Sequence, residues 1–174
     1  MTVNIRSALP GDENAIVALV GELAEYERLK RPVEATPDEI SKALFGAKPF
    51  VFCDVAERDG EMVGFSISYY TFSTFRGKHG LFMEVLFVRP RYRRQGIGKA
   101  LLGRLARRCV SEGLGRLEWM VVDWNSPAIA FYRSRGAKLL DDWTLCRLEG
   151  AELTAIGAAV DTTSDASGAV FSLP

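Results

Sequence analysis

The sequence predicts a mixed α/β domain, one sheet flanked by helices. Three observations carry that expectation. Apolar spacing switches between helical period and strand-like runs in the order β, α, α, three strands in succession, α, β, α, β. The three successive strands are of antiparallel style, with a hairpin signal at Asp59-Gly60. The length, 174 residues with 48% hydrophobic and 25% charged content, suits one domain with a real core and is short for two.

Taken in order, Val3 to Ser7 alternates as a strand does, and Pro10-Gly11-Asp12 breaks it. Ile16, Leu19, Val20, Leu23 and Tyr26 recur at helical spacing, which predicts one amphipathic helix from Asp12 to Leu29, ended by Pro32. Thr36-Pro37-Asp38-Glu39 starts a second helix, with proline just inside, that runs to Phe45 and stops at Gly46 and Pro49. Phe50 to Glu57 and Glu61 to Phe72 are paired strands around Asp59-Gly60. Gly77 to Gly80 is expected to be a loop and Leu81 to Val88 a central strand. Ile97 to Ser111 is a helix closed by Gly113 and Gly115, and Leu117 to Val122 a buried strand. Ser126-Pro127 opens a helix to Arg135. Lys138 to Leu140 and Thr144 to Leu148 are expected to form a last hairpin or two short strands. From Gly157 onward the chain is mostly small and polar, so residues 1–150 are expected to be the domain and residues 151–174 a mobile extension, with Val170, Phe171 and Leu173 hinting that its end docks.

Bulk charge narrows the function classes. Lys plus Arg equals Asp plus Glu, giving a net charge of zero, which argues against a dedicated nucleic-acid binder. No apolar run reaches the length of a membrane span, and no signal peptide opens the sequence, so a cytoplasmic, reducing setting is the expectation. Cys53, Cys109 and Cys146 show no metal or disulfide spacing, and all three are expected to be buried free thiols. His79, the one histidine, is expected on a surface loop. No metal site is expected.

Three segments carry chemistry. In Val88-Arg89-Pro90-Arg91-Tyr92-Arg93-Arg94-Gln95-Gly96-Ile97-Gly98-Lys99 a strand enters a basic, glycine-spaced turn that opens a helix. Glycines admit a close ligand, and the unpaired N–H groups of a first helical turn attract anions, here most naturally a pyrophosphate. The turn lacks the third glycine of a dinucleotide fingerprint and the Gly-Lys-Ser/Thr ending of a phosphate loop. Glu84 is a carboxylate inside the apolar run Leu81 to Val88. It must either face solvent or belong to a site, and the nearby anion turn favours a site. In Val121 to Tyr132, Asn125 is placed either to cap a helix or to serve a site. Tyr132 is either a half-buried aromatic or a functional phenol.

Arg93-Arg94-Gln95-Gly96-Ile97-Gly98 resembles the Arg/Gln-x-x-Gly-x-Gly/Ala loop of the GNAT acetyltransferase superfamily. Glu25-Tyr26-Glu27, the stretch Tyr70 to Lys78, and Val122-Asp123-Trp124-Asn125 with Phe131-Tyr132 and Arg135-Gly136-Ala137 resemble its spermidine/spermine and thialysine N-acetyltransferase branch. The likeness spans roughly Ile5 to Leu148. It implies a GNAT acyl-CoA N-acyltransferase fold, a mixed sheet splayed between its fourth and fifth strands with helices on both faces, and a bulge near Val85 to Phe87. It implies acetyl-CoA as co-substrate, a small-molecule amine as acceptor and a homodimer. Leu86, Phe87, Val88, Arg93, Arg94, Gln95, Gly96, Ile97, Gly98, Lys99, Asn125, Ser126, Ala128 and Tyr132 would hold the coenzyme. Tyr26, Glu27, Phe75, Glu84, Trp119 and Met120 would face the acceptor, with Glu27 as ammonium partner or else a solvated helix-end carboxylate. Glu84 would be the base and Tyr132 the acid. The polyamine branch carries Glu-Asp where this chain has Glu84-Val85, and an acidic residue and a tryptophan at Ser73 and Phe75. A small or lysine-like amine is therefore expected rather than spermine. The segments Tyr26-Glu27 and Phe72 to Phe75 are expected to wall a closed pocket. The alternatives are a protein or peptide N-acetyltransferase and a catalytically silent CoA-binding module.

Overall fold

A computed structural model of the chain describes residues 3–160, which fall into two compact units that divide after Trp124. The first unit contains a five-stranded sheet in the order β1-β2-β3-β4-β5, made of β1 (Asn4–Ser7), β2 (Val51–Arg58), β3 (Glu61–Ser73), β4 (Lys78–Val88) and β5 (Leu117–Trp119). Neighbours from β1 to β4 are antiparallel, and β5 joins β4 in parallel. The expected mixed sheet with helices is therefore present. Its helices are α1 (Glu13–Tyr26), α2 (Pro37–Phe45) and α3 (Ile97–Ser111).

Local chemistry sets these elements. At α2, Thr36 and Glu39 form a reciprocal capping box, with Pro37 just inside. Asp59 and Gly60 both adopt positive φ, 53° and 79°, as a two-residue hairpin matched to strand twist requires. Helix α1 ends at Tyr26, short of the expected Leu29. Arg28 takes a left-handed conformation (φ 57°), and the Leu29 N–H reaches back to the Ala24 carbonyl at 2.9 Å, closing the helix before Pro32. Strand β4 starts at Lys78 because Lys78, His79 and Gly80 pair with Ser73, Phe72 and Thr71. The expected loop is strand, and His79 is an exposed strand residue.

The core has two layers. Phe65, Val55, Cys53 and Phe87 meet Ile16 and Leu19 of α1 and Leu44 of α2 on one face of the sheet. Ala56 and Val63 meet Ile97 and Leu101 of α3 on the other, joined by Leu86 and Val88. Each fully buried aliphatic side chain contributes about 1.5–3 kcal/mol to this packing.

The second unit holds α4 (Ser126–Arg133) and α5 (Gly150–Val160). The hairpin expected over 138–148 is absent, since no strand occurs in that segment, and Cys146 is exposed rather than buried. Cys53 and Cys109 are buried free thiols as expected. The helix at Gly150–Val160 was not anticipated. Glu152, Leu153 and four alanines give it helix propensity where apolar bulk alone suggested nothing. Val170, Phe171 and Leu173 lie outside the described residues. No helix among the described residues is long and apolar enough to cross a membrane.

Candidate active site

The site begins with a register fault. Ile67 pairs with Val85, whereas Ser68 pairs with Met83, so Glu84 is an extra residue on β4 with no partner on β3. The bulge lies at Glu84, one residue ahead of the stretch expected from the family likeness. The parallel ladder to β5 runs Leu81 with Leu117, Phe82 with Glu118 and Met83 with Trp119, and stops there. Beyond Glu84 the two strands separate. Residues 120–122, expected to continue the strand, are unpaired, and Met120 is exposed just past Trp119.

Backbone groups of β4 line this opening. The Arg89 N–H donates to the Val63 carbonyl at 2.9 Å, and the Phe87 carbonyl points toward Gly64. Alternation then turns Leu86 and Val88 toward the open edge. The Val88 carbonyl accepts from Arg93 Nε at 2.9 Å, which agrees. Glu84 is exposed, and Tyr69 Oη donates to its Oε2 at 3.4 Å. The Tyr69 ring stacks on Phe82 with centroids 5.3 Å apart. Partial burial raises the Tyr69 phenol above its ordinary value, and the Glu84 charge adds to this. Tyr69 was not singled out by the sequence, because only the bulge brings a carboxylate to its hydroxyl.

The basic turn sorts its charges. Arg89 pairs with Glu22 of α1 at 2.6 Å and with Glu61 of β3, while Arg91 also binds Glu61, which accepts from Tyr92 Oη at 2.7 Å. Arg93 lies over the Tyr26 ring at 4.2 Å in addition to holding Val88. Gln95 accepts from Arg58 at 2.5 Å and donates to the Arg91 carbonyl at 3.2 Å. Arg94 and Lys99 are exposed and have no ion-pair partner among the described residues. Arg94 and Gly96 both have positive φ, 60° and 85°, and nothing stands within 4 Å of where a Gly96 Cβ would project. The first α3 amide bonded back into this turn is that of Ala100, to the Gly96 carbonyl at 2.9 Å. The amides of Ile97, Gly98 and Lys99 therefore remain as donors at the positive end of a 15-residue helix. That is an anion cradle whose donors suit a pyrophosphate.

At the end of α1, Tyr26 packs against the Phe65–Phe87 cluster, on the sheet face that also carries Val85. Trp124 meets Tyr26 with centroids 5.9 Å apart, and the Arg28 guanidinium lies 5.1 Å over the Trp124 ring. Glu27 caps the helix, and partial desolvation raises its carboxyl above the ordinary value. Phe75 is not brought to this place within one chain. It sits in the turn between β3 and β4, 95% exposed, and the strand from Lys78 to Glu84 spans about 20 Å. Phe72, 55% exposed, belongs to the same hairpin end, so this segment does not wall a closed pocket in the single chain.

In the second unit, Asn125 precedes α4, and its Oδ1 accepts from the Ala128 N–H at 3.3 Å, the capping arrangement. Ser126 and Pro127 form the first turn. Tyr132 lies one turn further on, and its carbonyl accepts from Arg135 and Ala137 at 2.9 and 3.2 Å. Among the described residues no group of three histidine, cysteine or acidic side chains could hold a metal ion.

Known proteins resemble this chain over most of its length. The thialysine N-epsilon-acetyltransferase of Bos taurus is 36% identical, over 85% of this chain and 93% of its own length. The L-ornithine N5-acetyltransferase of Arabidopsis thaliana is 31% identical, over 90% of this chain and 88% of its own. A solved integron cassette protein from V. cholerae superposes with a TM-score of 0.70 at 27% identity, covering 90% of this chain and 98% of that one. The profile of the acetyltransferase (GNAT) family matches residues 17–137, and the chain belongs to that family.

Proposed function

We propose that the protein transfers an acetyl group from acetyl-CoA directly to a primary amine of a small molecule. The observation that carries this reading is the bulge at Glu84. It sets a carboxylate where β4 and β5 part, beside an open strand edge that leads to the unpaired amides of α3. The α3 amides, with Arg94 and Lys99, would hold the phosphates. Leu86 and Val88 would hold the extended arm as an added strand is held, with Phe87 between them. Acetyl-CoA supplies the acyl group activated as a thioester.

An alkylammonium titrates near ~10.4, so only about one molecule in a few thousand is a nucleophile at pH 7. Glu84 takes the ammonium proton, directly or through water, and so frees the lone pair. The new bond is nitrogen to acyl carbon, and the bond broken is carbon to sulfur. Tyr132 gives its proton to the departing sulfur, and the acetylated nitrogen sheds its second proton to solvent. An edge amide of β4 can polarise the acyl oxygen. The relatives named for thialysine and ornithine support an amino-acid-like acceptor over a polyamine. The reading also carries a reducing, cytoplasmic setting and a homodimer, in which a second copy would cover Phe72 and Phe75. Sedimentation showing only monomer would remove the dimer.

The test is CoA-thiol release from acetyl-CoA across a panel of diamines, basic amino acids and peptides. Release with small amines is expected. Glu84→Gln and Tyr132→Phe should each lower kcat by about 10²- to 10⁴-fold while leaving the acetyl-CoA dissociation constant within about twofold. Tight coenzyme binding without release on any amine would establish a silent module. Release with peptides alone would establish a protein acetyltransferase.

A further inference from the structure

Arg28 is costly where it stands. It occupies the left-handed position that closes α1, normally a glycine site, at φ 57°. Its guanidinium is exposed and lies on Trp124 at 5.1 Å, and no carboxylate pairs with it among the described residues. Two guanidiniums that reach α1 are committed: Arg89 to Glu22 and Glu61, and Arg93 to the Val88 carbonyl and the Tyr26 ring. Trp124 fixes Arg28 against Tyr26, and Tyr26 packs on the face that carries Val85 next to Glu84. Immediately before Arg28 stands Glu27, the residue that caps α1. A cation held on an aromatic ring thus adjoins a carboxylate at the end of α1, where Tyr26 packs on the sheet face that carries Val85.

We infer that Arg28 and Glu27 together read the head group of an α-amino acid, Arg28 binding the α-carboxylate and Glu27 the α-ammonium, so that the terminal side-chain amine is the one presented to Glu84. The inference rests on the acetyltransfer reading above and adds to it the residue that selects for the acceptor's α-carboxylate. A guanidinium held over an aromatic ring keeps its fork of N–H donors for a carboxylate, which an exposed lysine does not match. A diamine of the same length offers Arg28 nothing to bind and brings a second cation toward it.

The experiment compares L-ornithine with 1,4-diaminobutane, its decarboxylated counterpart, and with L-ornithine methyl ester, in the full chain and in Arg28→Met and Arg28→Lys. In the unaltered protein kcat/KM for ornithine should exceed that for the diamine and for the ester by about 10- to 100-fold, mostly through KM. Arg28→Met should collapse that ratio toward one. Arg28→Lys should restore part of it, and the acetyl-CoA dissociation constant should report an intact coenzyme site throughout. Equal use of acid, ester and diamine by the unaltered protein would overturn the inference and leave the acetyltransfer reading standing. So would a preference for ornithine that survives Arg28→Met. Failure to acetylate any amine would overturn both together.

Discussion

Gly64→Ala tests whether the β3–β4 contact holds the candidate coenzyme edge in place. A Cβ at Gly64 would lie 2.7 Å from the Phe87 carbonyl oxygen and 3.3 Å from Val88 Cα. Ordinary contacts begin near ~3.5 Å, so one strand must yield by roughly 0.8 Å. The nearest opposing atoms are backbone, so no rotamer change relieves the clash. The expected loss is about 1–3 kcal/mol. The displaced segment is also the one whose Leu86 and Val88 groups face the opening, so acetyl-CoA should bind several-fold more weakly. Urea unfolding at unchanged slope would measure the first effect and calorimetric titration the second. Gly103→Ala is the control. That glycine is exposed within α3, nothing stands within 4 Å of its projected Cβ, and the change should stabilise by about 0.5–1 kcal/mol. Stability of Gly64→Ala within about 0.5 kcal/mol of the unaltered protein would refute the packing argument. Clear destabilisation with unchanged coenzyme affinity would refute the role of this edge.

Arg104 holds the buried Asp54 at 2.6 Å, and the two side chains are 40% and 6% exposed. Arg104→Ala leaves a buried carboxylate with the Ser7 hydroxyl at 3.3 Å and no cation, and should cost about 3 kcal/mol, whereas Asp54→Asn frees Arg104 into water and should cost less; the reverse order in urea unfolding would contradict this. The Arg6 guanidinium holds the Asp12 carboxyl below its ordinary range. That stabilisation is complete above the unfolded aspartate value near ~3.9 and is lost as pH falls through the lower folded one, so Asp12→Asn should flatten the acid limb of the stability–pH curve below about pH 5. Burial pushes the Cys53 thiol up to about 12, with Asp54 and Asp12 adding to it, and burial also raises Cys109. Iodoacetamide at mildly alkaline pH should therefore alkylate Cys146 alone in the folded protein, as mass spectrometry of peptides would show.

Elements whose signals are local were legible. Helix α3 runs from Ile97 to Ser111 as its apolar spacing and flanking glycines indicate, and Asp59-Gly60 marks the β2–β3 turn because its backbone demands positive φ. The anion turn and the anomalous Glu84 were visible for the same reason, since a glycine pair and a carboxylate among apolar residues stand out without partners. What depends on distant partners was not legible. Which arginines of the turn stay free is decided by Glu22 and Glu61, far away in the chain, and Arg93 is taken up by Tyr26. The early stop of α1 was hidden because Arg28 fills a place where glycine is the usual signal. Apolar residues between 138 and 148 suggested strands, but a strand needs a neighbour that sequence pattern cannot supply.

The bulge itself follows from the apolar pattern once the register is known. Met83 pairs with Ser68 and Leu86 with Ser66, so both lie on the α3 face, three residues apart. Phe82 pairs with Tyr69, and Val85 with Ile67, which puts them on the α1 face, also three apart. A regular strand alternates every second residue and cannot satisfy both sets. Had β4 continued without the extra residue, Phe87 would leave the Phe65 cluster for the α3 side, and Leu86 and Val88 would lose Ile97 and Leu101. Core packing on both faces therefore forces one surplus residue between Met83 and Val85. Because that residue gives up its partner on β3, it is the one exposed position between Gly80 and Val88, where a carboxylate escapes the cost of burial. The exposed Glu84 carboxylate and the end of the β4–β5 ladder beside it thus accompany a single register fault, and a change that repairs the register should abolish both.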